Sequence, residues 1–371
     1  MLVNIFGVYF HAFEIPLLFY LSCFVPLEFV YSQTPIRVNK ENHILWLFLS
    51  LTLYILAILL SSLNAIDISI VYKSALKWTE VGLIGLLIFI YVSNTKRFIF
   101  IYWTLFAAAF TIILVPYLDI ILGRVNLFAY RIFPGIEAVF SLALLLPFLR
   151  KNRKWLYFAF LLSLLSCFFS LSRMAWLALG ACLIYFFYSQ KSLKGIFKIT
   201  AGVSTVLAIV LIFGPDLLSY RSGEILSRSS GSNSERLALL NVAFTAISEH
   251  PFIGVGSLNF SRYMVKRGLT EDIISQNLET LGPHNAFLQV ASEEGLIGLF
   301  FFTLTIIFIV SLILKAFKTS GVNRYYLVGL FGSLISMLFN LGFGFISAQF
   351  RFFFALIIGL ATATMRIPID K

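Results

Sequence analysis

The stretch GLIGLFFFTLTIIFIVSLIL, residues 295–314, runs for twenty residues without a charged side chain. That falls inside the roughly 17 to 25 apolar residues a tilted helix needs to cross a bilayer. Residues 44–63, 98–118, 155–172, 174–190, 199–215 and 325–350 repeat the pattern. Weaker apolar runs occupy about residues 8–31, 81–95, 132–149 and 352–365, where Glu14, Glu28 and Glu137 interrupt or border them. With 60% hydrophobic and 12% charged residues, the chain cannot present a soluble surface. Unpaired backbone groups are too costly in lipid for anything but helices or closed barrels. No alternating ten-residue strands are present, so the expected fold class is all-α, a bundle of about eleven spans, with ten to twelve compatible with the spanning-length rule.

Lysine and arginine sort by alternate loops. One set holds 16: Arg37, Lys40, Lys96, Arg97, Arg150, Lys151, Arg153, Lys154, Lys191, Lys194, Lys198, Lys315, Lys318, Arg324, Arg366 and Lys371. The opposite short segments hold six, namely Lys73, Lys77, Arg124, Arg131, Arg173 and Arg351. Because basic residues in short loops stay cytosolic, the first set marks the cytoplasmic side, and the formal charge of +11 reflects topology, not affinity for nucleic acid. The first ten residues carry no Lys or Arg, so no cleavable signal is expected. Cys23, Cys167 and Cys182 all fall within expected spans without metal-ligand spacing, and read as small core hydrophobes. No repeat of 20 to 50 residues emerges, which tells against a transporter built from inverted halves.

The chain thus divides into residues 1–215 with eight spans, an extracytoplasmic loop at 216–283, and residues 284–371 with three more. The loop carries seven acidic and six basic residues. Within it, Ser232-Asn233-Ser234-Glu235 reads as a capping box that starts a helix at about Glu235, and Pro251 stops it after Glu249. Leu237, Leu240, Phe244 and Ile247 fall on one stripe, expected to lie against the membrane or the top of the bundle. Arg236 would then occupy the first turn, where a cation opposes the macrodipole by about 0.3 to 1 kcal/mol. Free amides and a guanidinium fork there suit a phosphate or diphosphate; pairing with Glu235 or solvent is the plainer role. Gly254 and Gly256 in PFIGVG allow a tight turn.

His284 follows Pro283 and opens the apolar stretch leading to residue 295. At a helix N-terminus the imidazolium is disfavoured, leaving a neutral ring able to act as general base, or simply to cap free amides. Asn285 is placed to orient it. Arg173, in the short link SLSR, is either a snorkelling anchor or a charge partner for a departing phosphate; Arg221 and Arg228 could fill the same cationic role. Two cations and one neutral base on one face match transfer from a phosphate-activated donor.

Three segments, SLSRMAWLALG (Ser170 to Gly180), EHPFIGVGSLNF (Glu249 to Phe260) and HNAFLQVASEEGLIG (His284 to Gly298), resemble the O-antigen ligase and polymerase superfamily of bacterial membrane glycosyltransferases. The His-Asn, nine-residue, Gly-x-x-Gly spacing is matched in full. The resemblance implies inverting, metal-independent and cofactor-free glycan transfer on the outer face of the cytoplasmic membrane. The donor would be a glycan on undecaprenyl diphosphate and the acceptor lipid A-core or another glycan, with membrane lipid around it. It implies His284 as the essential base and Arg173 and Arg236 as the diphosphate-holding arginines, with Asn285, Arg221 and Glu137 in support.

The chain departs from the family in being short, in lacking one N-terminal span, and in placing Glu137 where an uncharged polar residue is expected. An intramembrane carboxylate is a functional suspect, and Arg131 or Arg124 are its candidate partners. Glu293 and Glu294 are either interfacial or hold one of the arginines. A ligase is the first reading, a polymerase using the same donor the alternative, and a lipid-linked oligosaccharide flippase the third.

Overall fold

The computed structural model describes residues 2–5, 8–11, 42–123, 134–151, 153–170, 172–190, 231–268, 282–344 and 346–367. A two-stranded antiparallel hairpin, β1 (Leu2–Ile5) with β2 (Val8–His11), opens the chain. Helices follow: α1 (Asn42–Leu60), α2 (Ile68–Tyr91), α3 (Thr95–Ile121), α4 (Gly135–Leu145), α5 (Lys154–Phe169) and α6 (Arg173–Gln190). After these come α7 (Gly231–Glu249), α8 (Phe260–Lys266), α9 (Ala286–Glu293), α10 (Gly295–Thr319), α11 (Arg324–Phe343) and α12 (Ala348–Ala363).

Among the described residues, six helices are long and apolar enough to cross a membrane, and three shorter apolar ones cover 135–149, 154–169 and 174–189. The protein is therefore a polytopic helical membrane protein. The expected span 199–215 lies outside the described residues, as does most of 8–31. Residues 8–11 of that run form a strand instead of a helix, consistent with the β-favouring Val and aromatic residues of VYFH. The span expected at 81–95 begins much earlier, at Asp67, whose side chain caps Ser69 N. In its more polar first half Lys77 and Glu80 pair at 3.3 Å, one turn apart on the helix surface.

The chain forms two compact units. The first comprises residues 1–101, 231–322 and 341–371. In it α12 packs on α2 and α10 on α1. Small residues set the first crossing: Gly85 faces Ile358, and Gly359 faces Ile88, so two backbones approach where larger side chains would hold them apart. Trp78 sits edge-on to Tyr54 at 4.9 Å and to Phe302 at 5.9 Å between ring centroids, and Ser50 bonds Thr305 across α1 and α10 at 3.1 Å.

This unit has a basic end and a motif end. Arg97 donates to the Tyr91 carbonyl, Arg366 donates to the carbonyls of Phe89 and Ile90 at 2.7 Å, and Gly321 N reaches Ile367 O. The 24 residues of α2 separate that end from Asp67 by about 36 Å at 1.5 Å per residue.

The second unit comprises residues 102–230 and 323–340. Tyr102 donates to Leu144 O at 2.8 Å and meets Tyr326 edge-on at 4.9 Å. Cys167 and Cys182 are buried and free, as small core hydrophobes should be; Cys23 lies outside the described residues.

Candidate functional site

At the motif end of the first unit, two of the sequence segments singled out above lock together through their backbones. Val255 N donates to Ser292 O at 3.0 Å and Gly256 N to Glu293 O at 2.9 Å. In return Leu296 N donates to Pro251 O at 2.8 Å and Ile297 N to Phe252 O at 3.3 Å. Gly254 and Gly295 stand at φ +68° and +73°, and a β-carbon on either would overlap the opposing backbone. Glycine is needed here both for conformation and for approach. The PFIGVG turn is tied in addition to the end of α1: Asn64 donates to Gly254 O at 2.9 Å, Ser257 N donates to Ser61 Oγ at 3.0 Å, and Asn259 bonds both backbone groups of Asp67.

This platform presents His284. Asn285 is the N-cap of α9, its Oδ1 accepting from Leu288 N at 3.0 Å, while its amide donates to Gly342 O at 2.8 Å. His284 therefore stands one residue before the cap, half-buried, with φ +48°. A non-glycine residue in the left-handed region is uncommon and costs on the order of 1 to 2 kcal/mol; such strain gathers at functional sites. Asn285 thus fixes the helix start that carries His284.

Arg236 is an exposed residue of α7. The helix begins at Gly231, four residues before the expected start, so Arg236 lies in the second turn instead of the first. Gly, Ser and Asn disfavour helix interiors but suit opening turns, which lets the start slide N-terminally past the apparent capping box. A second face of α7, beside the expected stripe, is the one buried within the protein. Leu239, Val242, Ala243 and Ala246 pack against Val255, Phe260, Tyr263 and Met264, whereas Leu237 and Phe244 are 61% and 58% exposed. Small and β-branched side chains admit the PFIGVG turn closely, and the larger Leu and Phe are left on the outer face. Since α7 packs on both α8 and α9, the helix bearing Arg236 is braced against the helix that His284 introduces.

Arg173 belongs to the second unit, as the first residue of α6. Ser172 Oγ accepts from Ala175 N at 3.4 Å. It is Arg173, then, that occupies a first turn. Glu137, half-buried in the first turn of α4, shares this neighbourhood, because a β-carbon at Gly135 would overlap Ser170 and lie 2.9 Å from Ala175 Cβ. The expected partners Arg124 and Arg131 lie outside the described residues, as do Arg221 and Arg228.

Glu293 and Glu294 are buried inside the protein, 4% and 3% accessible. Ser257 donates to Glu294 Oε1 at 2.5 Å and bonds Ser74 at 2.8 Å. Gln289 donates to Glu293 Oε2 at 3.3 Å and accepts from Ile346 N at 3.3 Å. Ser257 and Gln289 were not legible as site residues. Only the doubled carboxylate in an otherwise apolar segment hinted at an interior polar cluster, since a buried charge requires partners.

No curated protein matches the chain at a significant level. Residues 158–303 match the family described as O-antigen ligase, a range that spans Arg173, Arg236, the PFIGVG turn and the His-Asn motif. Residues 158–303 of this polytopic helical membrane protein are accordingly similar to the O-antigen ligase family.

Proposed function

We propose that the protein is an inverting, metal-independent glycosyltransferase of the ligase type. It would move a glycan from undecaprenyl diphosphate to a hydroxyl of lipid A-core on the outer face of the bacterial cytoplasmic membrane. The observation that carries this reading is His284, held at φ +48° at the start of α9 by the Asn285 cap, inside the range that matches the family.

His284 takes the proton from the acceptor hydroxyl as that oxygen attacks the anomeric carbon. The bond from the anomeric carbon to the phosphate oxygen breaks, configuration inverts, and undecaprenyl diphosphate leaves with the bonding electrons. Arg173 and Arg236 hold the developing negative charge, Arg173 from a helix start whose free amides add to it. The outward-facing assignment is supported by the basic cluster of Arg97 and Arg366 at the far end of α2 from the motif, because cytosolic loops retain Lys and Arg. The exposed Leu237 and Phe244 give α7 an apolar outer face suited to the membrane surface.

Purified protein supplied with lipid-linked donor and lipid A-core tests the reading. His284→Ala should lose product formation by roughly 10² to 10⁴ and keep donor binding; undiminished turnover would refute it. Product appearing as a longer glycan on the carrier, with lipid A-core untouched, would assign the polymerase reaction instead.

A further inference from the structure

Glu293 and Glu294 are adjacent, interior and joined to different partners. Glu293 accepts from the Gln289 amide and from the backbone amides of Leu258 and Phe260, delivered by a turn in which Leu258 has φ +58°. Among the described residues three donors reach it, the setting of a carboxylate. Glu294 has the Ser257 hydroxyl on Oε1, and its Oε2 has no partner among the described residues, nor has the buried Tyr54 hydroxyl. Both groups line one cavity of about 10 Å³ with Ser257, Gln289, Glu293 and Arg351, enough for roughly one water. The charged or titratable groups facing the pair are Tyr54 from α1 and Arg351 from α12. Lys77 and Glu80 of α2 bond each other and line an adjoining cavity with Arg351. From α7 and α8, Glu249, Tyr263 and Arg267 bond among themselves. Among the described residues that line this cavity, two buried carboxylates face one guanidinium, one negative charge more than a low-dielectric interior favours.

We propose that Glu293 and Glu294 form a dyad holding one proton, Glu293 as the carboxylate and Glu294 as the neutral acid, and that the dyad positions His284. The linkage runs through Gln289, which connects Glu293 to Ile346 N and so fastens α9 beside the Asn285 to Gly342 bond. Burial raises both groups, Glu293 to about 7 and Glu294 further, with repulsion from Glu293 adding to the latter. Glu293 is thus the first of the two to ionise. Folded-state values above the ordinary one mean that stability is fullest below about 4.5 and declines as pH rises through 7 and beyond.

The positioning role rests on the His284 reading; the dyad itself does not. In detergent, pH-difference infrared spectra of the wild-type protein at neutral pH should show the carbonyl stretch of a buried carboxylic acid, absent from Glu294→Gln. No such band in the wild type would overturn the dyad, and this holds even if the variant does not fold. Above pH 7 the wild-type melting temperature should keep falling while Glu294→Gln levels off; parallel curves would overturn it as well. For positioning, Glu293→Gln should lower kcat by roughly 10²-fold, the scale of a misplacement of about 1 Å, with donor KM unchanged and partial rescue by Glu293→Asp. An unchanged kcat, or a change confined to KM, would overturn the positioning role. A wild-type protein with no transferase activity but an intact infrared band would count against the proposed function and leave the dyad standing.

Discussion

The Gly256 amide donates to the Glu293 carbonyl at 2.9 Å, joining the PFIGVG turn to the end of α9. The bond is one of four between two segments some forty residues apart, all of them from backbone to backbone. Its contribution to function runs through the rigidity of what it supports.

Gly254→Ala and Gly295→Ala should therefore destabilise without touching any reacting group. Each introduces a β-carbon at positive φ and into opposing backbone. Left-handed strain alone is about 1 to 2 kcal/mol, and the overlap adds to it. The expected result is a lowered melting temperature in detergent and reduced yield from membranes. Unchanged melting would mean that the two segments separate without cost.

Asn285 performs two tasks with separate atoms, so substitutions divide them. Asn285→Asp keeps the Oδ1 cap on Leu288 N and removes the donor to Gly342 O; Asn285→Ala removes both. Loss of the cap costs about 0.5 to 2 kcal/mol. The alanine variant should thus be the less stable of the two, while both lose turnover because each frees the start of α9 from the last turn of α11. Equal stability would show that the cap contributes nothing.

The spans were legible because apolar length is written in one segment at a time: residues 295–314 state their own fate. The place of His284 just before a helix start was equally legible, from Pro283 and the apolar stretch that follows it. Less legible was anything decided by packing. The burial of Leu239 and Ala243 depends on how closely the PFIGVG turn approaches α7, which the hydrophobic stripe through Leu237 and Phe244 does not encode. The helix start at Gly231 depends on which of several serines and asparagines caps, and Ser232, Asn233 and Ser234 offer near-equivalent choices. The interior position of Glu293 and Glu294 required knowing that Ser257, Leu258 and Phe260 bring donors to them.

Arg173 and Arg236 should behave alike toward the donor and differently toward stability. Arg236 is exposed, and removing it should leave melting unchanged within about 0.5 kcal/mol, the usual range at such surfaces. Both Arg→Ala variants should weaken donor affinity measured with undecaprenyl diphosphate, and Lys at either position should restore only part of it, because a point charge lacks the bidentate fork. Normal affinity in the double variant would remove the diphosphate assignment from both residues.

A last prediction separates the chemistry of residue 284 from its backbone. Histidine at φ +48° bears strain that alanine keeps and glycine relieves, since glycine enters the left-handed region without a β-carbon penalty. His284→Gly and His284→Ala both lack the imidazole and should be equally inactive. The glycine variant should nevertheless be the more stable, by about 1 kcal/mol once its greater unfolded-state freedom is set against the relieved strain. Thermal unfolding of the two inactive proteins in the same detergent makes the comparison free of any catalytic readout. A glycine variant no more stable than the alanine would mean that the left-handed conformation stores no strain, and that the ring's position owes nothing to it.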